Sequence, residues 1–157
     1  MKKMKSIIAT SVALSAIFAT HIYAFSCTND HTNFRCVEYV RNYDGDTVTF
    51  NIPNMHPIIG KNIKIRLNGI DTPEIRTKDE CEKKVALLAK DFVANLLSQA
   101  RVINLNNIKR GKYFRIIADI YVDGEHLNQL LLDNNLAVEY DGSAKKKVNW
   151  CNYYSQQ

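Results

Sequence analysis

At 157 residues, with 46% hydrophobic and 24% charged side chains, the chain has room for one ordinary domain and no more. Its 21 basic and 16 acidic residues give a formal charge of +5. Lys2, Lys3 and Lys5 belong to a removable N-terminal stretch, so the remaining chain carries about +2, too little to assign an anionic partner by itself.

Residues 1–24, "MKKMKSIIATSVALSAIFATHIYA", place three lysines before an apolar run from Ile7 to Phe18 and end on Ala24. That order is a secretory signal peptide: basic start, apolar middle, small residue at the cut. Ile22 sits where a small residue is favoured, and without cleavage the segment would be a short membrane anchor. A lipoprotein cut before Cys27 is disfavoured because "AFSC" lacks an upstream Leu. The expectation is export to the periplasm or the medium, with residues 25–157 as one domain and no stable membrane association after cleavage.

Cys27, Cys36, Cys81 and Cys151 follow the leader, an even count that suits two disulfides in an exported chain. No CxxC is present, and His31, His56 and His126 are scattered, which argues against a zinc site. Four cysteines admit three pairings. Cys27–Cys36 with Cys81–Cys151 is the pairing taken forward.

The segment 35–42, "RCVEYVRN", alternates as a strand, and "TVTFNI" (47–52) is a second, joined to it through "YDGD". Asp-Gly between β-prone runs is a hairpin signal. A loop holding Pro53 and Pro57 leads to "KNIKIRL" (61–67), with Ile63, Ile65 and Leu67 on one face and Lys64 and Arg66 on the other. After Pro73 the period becomes helical. Thr77 and Glu80 read as a capping box, and Val85, Leu88, Phe92 and Leu96, with Ala89 and Val93 beside them, as the apolar stripe of a helix to about Gln99. The segments 101–108 and 114–122 return to strand character around the basic loop "KRGK" (109–112). "GEHLNQLLLDNN" reads as a short helix and "LAVEY" as a last strand. Such a set predicts an α+β chain built on a small closed barrel. There is no internal repeat or low-complexity linker after residue 25.

Chemistry concentrates at predicted strand ends. Stretched out, Arg66 and Glu74 would lie roughly 26 Å apart, but Gly69 and Pro73 let "RLNGIDTPE" turn back on itself. "YDGDT" adds Asp44 and Asp46, and "KYFR" adds Arg115. If the three segments converge, carboxylates and carbonyls suit a hard cation, two guanidiniums match a phosphate, and Glu74 is left for the attacking water. Each piece has a plainer reading: "DGDT" as a turn, "DTPE" as a helix entry, Arg115 paired with Asp119. The clusters 109–112 and 145–147, flanked by Tyr113 and Trp150, suit a single strand, although solvated surface lysines would look the same.

Together, "YDGDTVTF" (43–50), "IRLNGIDTPE" (65–74), "KYFRIIADIYVDGEHLN" (112–128) and "LLLDNNLAVEYDG" (130–142) resemble the staphylococcal nuclease-like family, or thermonucleases, in the family's order. The resemblance implies a five-stranded OB-fold barrel with two or three helices, and a calcium-dependent hydrolase cleaving DNA and RNA; the basic and aromatic clusters favour single strands, and a monomer is the default expectation. It implies Ca2+ on Asp46, Asp71 and the Thr72 carbonyl, phosphate contacts from Arg66 and Arg115, and Glu74 as general base. Lys112 and Tyr113 match substrate-side positions; Tyr140 is a candidate for stacking on a base. The chain departs from the family's D-x-Y-G-R turn, with Gly111 and Phe114 in place of the acid and the glycine. Phenylalanine lacks glycine's freedom at positive φ, which puts the placement of Arg115 in question. The alternative is a catalytically silent OB-fold module that binds single-stranded nucleic acid.

Overall fold

The computed structural model describes residues 26–145 and 147–155. The predicted signal peptide lies outside the described residues.

In chain order the strands are β1 (Glu38–Asn42), β2 (Thr47–Asn51), β3 (Ile63–Leu67), β4 (Ile70–Asp71), β5 (Ile103–Arg110), β6 (Ile116–Val122), β7 (Glu125–His126) and β8 (Val138–Glu139). The helices are α1 (Pro57–Gly60), α2 (Glu80–Gln99), α3 (Leu127–Asp133) and α4 (Trp150–Tyr154). The main sheet runs β1-β2-β3-β6-β5, with β7 on β6; β4 and β8 form a separate pair. Only β3 and β6 run parallel. The chain is therefore mixed α+β, as expected.

The expected closed five-stranded barrel is corrected: the sheet is open and has six strands. In place of a ladder between β1 and β5, the segment before β1 is stitched to β5 by Phe34 N–H to Leu105 O, its reciprocal bond, and Val37 N–H to Ile103 O, at 2.8–2.9 Å. Cys36 stands between these contacts at φ +52°, so the chain is bent where a ladder would need it extended. The described residues also hold four helices rather than two or three. The extra α1 falls in the expected Pro53–Pro57 loop, with Pro57 at its start, where a missing N–H costs nothing.

One core joins the layers. Val48, Phe50, Ile65, Leu67, Leu105 and Ile120 project from the sheet against Val85, Ala89 and Val93 of α2, all essentially inaccessible. The buried face of α2 is Val85, Ala86, Ala89, Val93 and Leu97, not the stripe centred on Leu88. Leu88 is exposed, and Phe92 and Leu96 pack at the margin. Small residues on that face let the β1–β2 turn come close: a Cβ on Gly45 would stand 2.8 Å from Ala89 Cβ and 2.9 Å from Thr72 Cγ2.

The capping box is also corrected. Asp79 caps α2, its Oδ1 accepting from Cys81 N–H and Glu82 N–H, while Thr77 Oγ1 donates to Glu82. Asp79 stands directly before the first turn, where one carboxylate oxygen reaches two free N–H groups.

Both expected disulfides are present, Cys27–Cys36 and Cys81–Cys151. The second closes a separation of 70 residues and, on a chain-entropy estimate, contributes on the order of 4 kcal/mol. It ties α4 to the start of α2, and Lys145 of the preceding segment reaches Asp71 and Glu74 in the connection between β3 and α2. Trp150, which flanks the 145–147 cluster as one candidate ring for a base, is 5% exposed and packs with Tyr153. Burying its large apolar surface under α2 outweighs presenting it to solvent.

Candidate functional site

The β1–β2 turn is held by Asp44, whose Oδ1 accepts from Asp46 N–H and Thr47 N–H at 3.1 and 2.8 Å. Buried Asn42 donates to the carbonyls of Asp44 and Lys90, tying that turn to α2. Asp46 then meets β3, its own carbonyl accepting from Leu67 N–H. Strand alternation does the rest. With Ile65 and Leu67 committed to the core, Arg66 points to the opposite face, beside Asp46.

Arg66 is the hub of the site. Its Nη1 donates to Asp46 Oδ1, and its Nη2 to Asp71 Oδ1 at 2.7 Å and to Ile70 O at 3.3 Å. The Tyr140 ring lies 5.7 Å from its guanidinium carbon. Burial works against the charge of Arg66, but Asp46 and Asp71 more than offset it and hold its pKa above the usual arginine value. Asp46 is 3% exposed and also accepts from Thr47 Oγ1 and Thr72 N–H, the last at 3.0 Å. Thr72 is buried too, so its backbone is fixed beside the Asp46 carboxylate.

Asp46, Thr72, Arg66, Glu74, Arg115 and Tyr140 line one open cleft of about 1240 Å³. Tyr113 and Phe114 stand at its edge, 92% and 80% exposed. Asp71 borders instead a smaller adjoining cavity of about 610 Å³, reaching the cleft residues through Arg66. Lys112 donates to Gly142 O at 3.0 Å, so it braces the C-terminal segment. Tyr140 donates its hydroxyl to Ser143 O, and its N–H bonds to Gly69 O, joining the strand end to the β3–β4 turn.

The altered turn does not carry Arg115 away from the cleft. Tyr113 and Phe114 both take φ +58°, the conformation that Phe114 was expected to resist, and Arg115 returns to extended backbone. Gly111 N–H to Arg115 O closes the turn at 2.7 Å. Arg115 is exposed and has no side-chain partner among the described residues. The plainer alternative, Arg115 paired with Asp119, is not found among the described residues: Asp119 accepts from Asn68 and Asn107.

One group was missed in the sequence. Lys145 Nζ lies 2.6 Å from Glu74 Oε1 and 3.0 Å from Asp71 Oδ1. Burial opposes its charge, yet Glu74 and Asp71 hold its pKa above the usual lysine value. The signal for it was in two parts, a lysine run in the sequence and the Cys81–Cys151 pairing, which ties the segment after Lys145 to the start of α2. Glu74 itself is anchored through its N–H to Glu82 Oε1 at 3.1 Å.

Negative charge accumulates at the turn. Burial, then the charges of Asp46 and Glu74, push the Asp44 carboxyl up to about 6. The folded state thus keeps a proton that the unfolded chain loses above about pH 4, so this group subtracts stability as pH rises to about 6 and beyond. Asp44→Asn keeps the acceptor oxygen and removes the charge. In chelator it is expected to stabilise the fold by about 1–2 kcal/mol above pH 6 and to leave it unchanged below pH 4, read from urea midpoints across pH. A constant difference at all pH values would contradict the assignment.

A buried carboxylate–guanidinium hub, a second uncommitted guanidinium and an exposed glutamate lie along one cleft, groups whose geometry and charge are matched by phosphate oxygens. Residues 64–156 match the family model described as staphylococcal nuclease homologue, and the chain belongs to that family; its domain is of nuclease type. The chain is 25% identical over 143 residues to a thermonuclease of Staphylococcus hyicus, covering 87% of this chain and 81% of that protein. It is 28% identical over 94 residues to an uncharacterized 38.1 kDa protein of Capnoides sempervirens, covering 60% of this chain and 26% of that longer relative. Two disulfides suit an oxidising compartment, and no described helix is long and apolar enough to cross a membrane.

Proposed function

We propose that the protein is an exported, calcium-dependent nuclease that hydrolyses phosphodiester bonds of DNA and RNA as a monomer. The observation that carries this reading is the meeting of Asp46, Arg66, Glu74 and Arg115, from three separate segments, along one open cleft.

The donor chemistry fits calcium. Asp46 and Asp71 offer hard carboxylate oxygens and Thr72 a carbonyl, with waters to complete a shell. Among the described residues no three of these acidic side chains bring ligand atoms within 4.8 Å of one another, so the protein part of such a site rests on two carboxylates and backbone. The charge crowding that raises Asp44 is the kind of field a divalent cation relieves. When bound, the ion supplies charge against the phosphoryl oxygens and polarises the ester.

The chain's own residues do the remainder. Arg66, fixed by two carboxylates on its Nη atoms, keeps donors for a phosphate, Nε–H among them. Arg115, exposed and unpaired among the described residues and lining the same cleft, can close on the same phosphate and oppose charge growing on its oxygens. Glu74, at the solvent side, orients the attacking water or takes its proton. Lys145 pairs with Glu74 Oε1 and with Asp71 in the structure as it stands, which leaves Glu74 Oε2 as the oxygen for the water. Lys112, Tyr113 and Tyr140 complete the substrate side.

That same Lys145 contact favours the second reading, a silent module that binds single strands without cutting them. One experiment separates the two. The purified protein, incubated with single-stranded DNA or RNA in calcium, is expected to shorten both and to stop on adding chelator. Intact strands that nevertheless bind would leave the silent module.

A further inference from the structure

We propose that Phe114, backed by Arg110, is a nucleobase-stacking platform at the lip of the cleft and selects unpaired strands; this rests on reading the cleft as a nucleic-acid site.

Phe114 is an expensive residue for its position. It takes φ +58° directly after Tyr113 at the same φ, a conformation that glycine adopts freely and that a bulky side chain resists. Apart from one contact with Arg110, the ring gains no burial in the fold in return. The ring is 80% exposed, whereas Phe50 and Trp150 are buried in the core. The turn instead raises the ring at the rim of the cleft that Arg115, Arg66 and Glu74 line. Strain kept for an exposed aromatic, beside groups suited to phosphate, points to a ligand with a flat face.

The ring is also held. The Arg110 guanidinium carbon sits 5.4 Å from its centroid, covering one side of the ring by a cation–π contact. The exposed remainder is free for a base. Arg110, Lys112 and Arg115 surround the turn with positive charge suited to a strand's backbone. A paired base keeps its faces inside the duplex, so only an unpaired base can lie on Phe114.

The test is fluorescence anisotropy in chelator, so that nothing is cut. The probes are a labelled single-stranded oligonucleotide, an abasic strand of equal length and a duplex. The wild-type protein is expected to bind the base-bearing strand about 5- to 150-fold more tightly than the abasic one. Phe114→Gly, which suits the backbone better, is expected to fold with an unchanged or higher Tm and to lose most of that ratio. Phe114→Trp is expected to keep it. Undiminished preference for the base-bearing strand in Phe114→Gly overturns this inference alone. A wild-type protein that binds none of the probes overturns it together with the reading of the cleft.

Discussion

Glu74→Gln is expected to slow hydrolysis of single-stranded DNA by about 10²–10⁴-fold while leaving the fold intact. The side chain is 55% exposed, its carboxylate touches only Lys145 among the described residues, and the local backbone is held by Glu74 N–H on Glu82, which the substitution leaves in place. The amide is nearly isosteric and can still accept from Lys145. It cannot take a proton from water at neutral pH. Rates at saturating substrate, with a denaturation curve for each protein, separate chemistry from stability. A variant as fast as wild type would remove Glu74 from the reaction.

The two arginines are expected to behave differently, and the contrast is the sharper test. Arg66→Ala leaves Asp46, almost fully buried, and Asp71 without their shared cation. Removing one partner of such a group strands uncompensated charge and costs about 3–5 kcal/mol, a large fraction of a domain's stability. Part of the activity loss in that variant is therefore unfolding. Arg115→Ala removes an exposed group with no described side-chain partner, so stability should stay within about 0.5 kcal/mol. Activity should still fall by about 10²–10³-fold, as for loss of a group that opposes transition-state charge. Urea midpoints and initial rates on both variants check this. Equal stability losses in the two would contradict the geometry.

Where local pattern governs, the sequence was legible. Alternation around Ile65 and Leu67 placed Arg66 on the polar face, and Asp-Gly marked the β1–β2 turn that carries Asp46. The even cysteine count pointed to two bridges, and of the three possible pairings the structure holds the one favoured, Cys27–Cys36 with Cys81–Cys151. What escaped depends on contacts between distant segments. Whether the sheet closes is decided by Cys36 at positive φ, by the paired bonds between Phe34 and Leu105 and by one bond from Val37, none of which periodicity records. Asp79 and Thr77 are both fair caps in isolation, and only the first turn of α2 selects between them. The burial of Trp150 follows from the Cys81–Cys151 tie. So does the placing of Lys145 on Glu74, a contact between residues 71 positions apart. At Phe114 the residue's own preference pointed away from positive φ, yet the closing bond from Gly111 N–H to Arg115 O accompanies a turn that keeps it.

Joint action of Glu74 and Arg115 on one phosphate is tested most directly by combining the two substitutions. Hydrolysis of a single-stranded oligonucleotide in calcium is followed for wild type, Glu74→Gln, Arg115→Ala and the double variant. Groups that serve the same step fail together, so the double variant is expected to be within about tenfold of the slower single variant. Losses that simply multiply, or singles that cut like wild type, would mean that these side chains do not form one catalytic site.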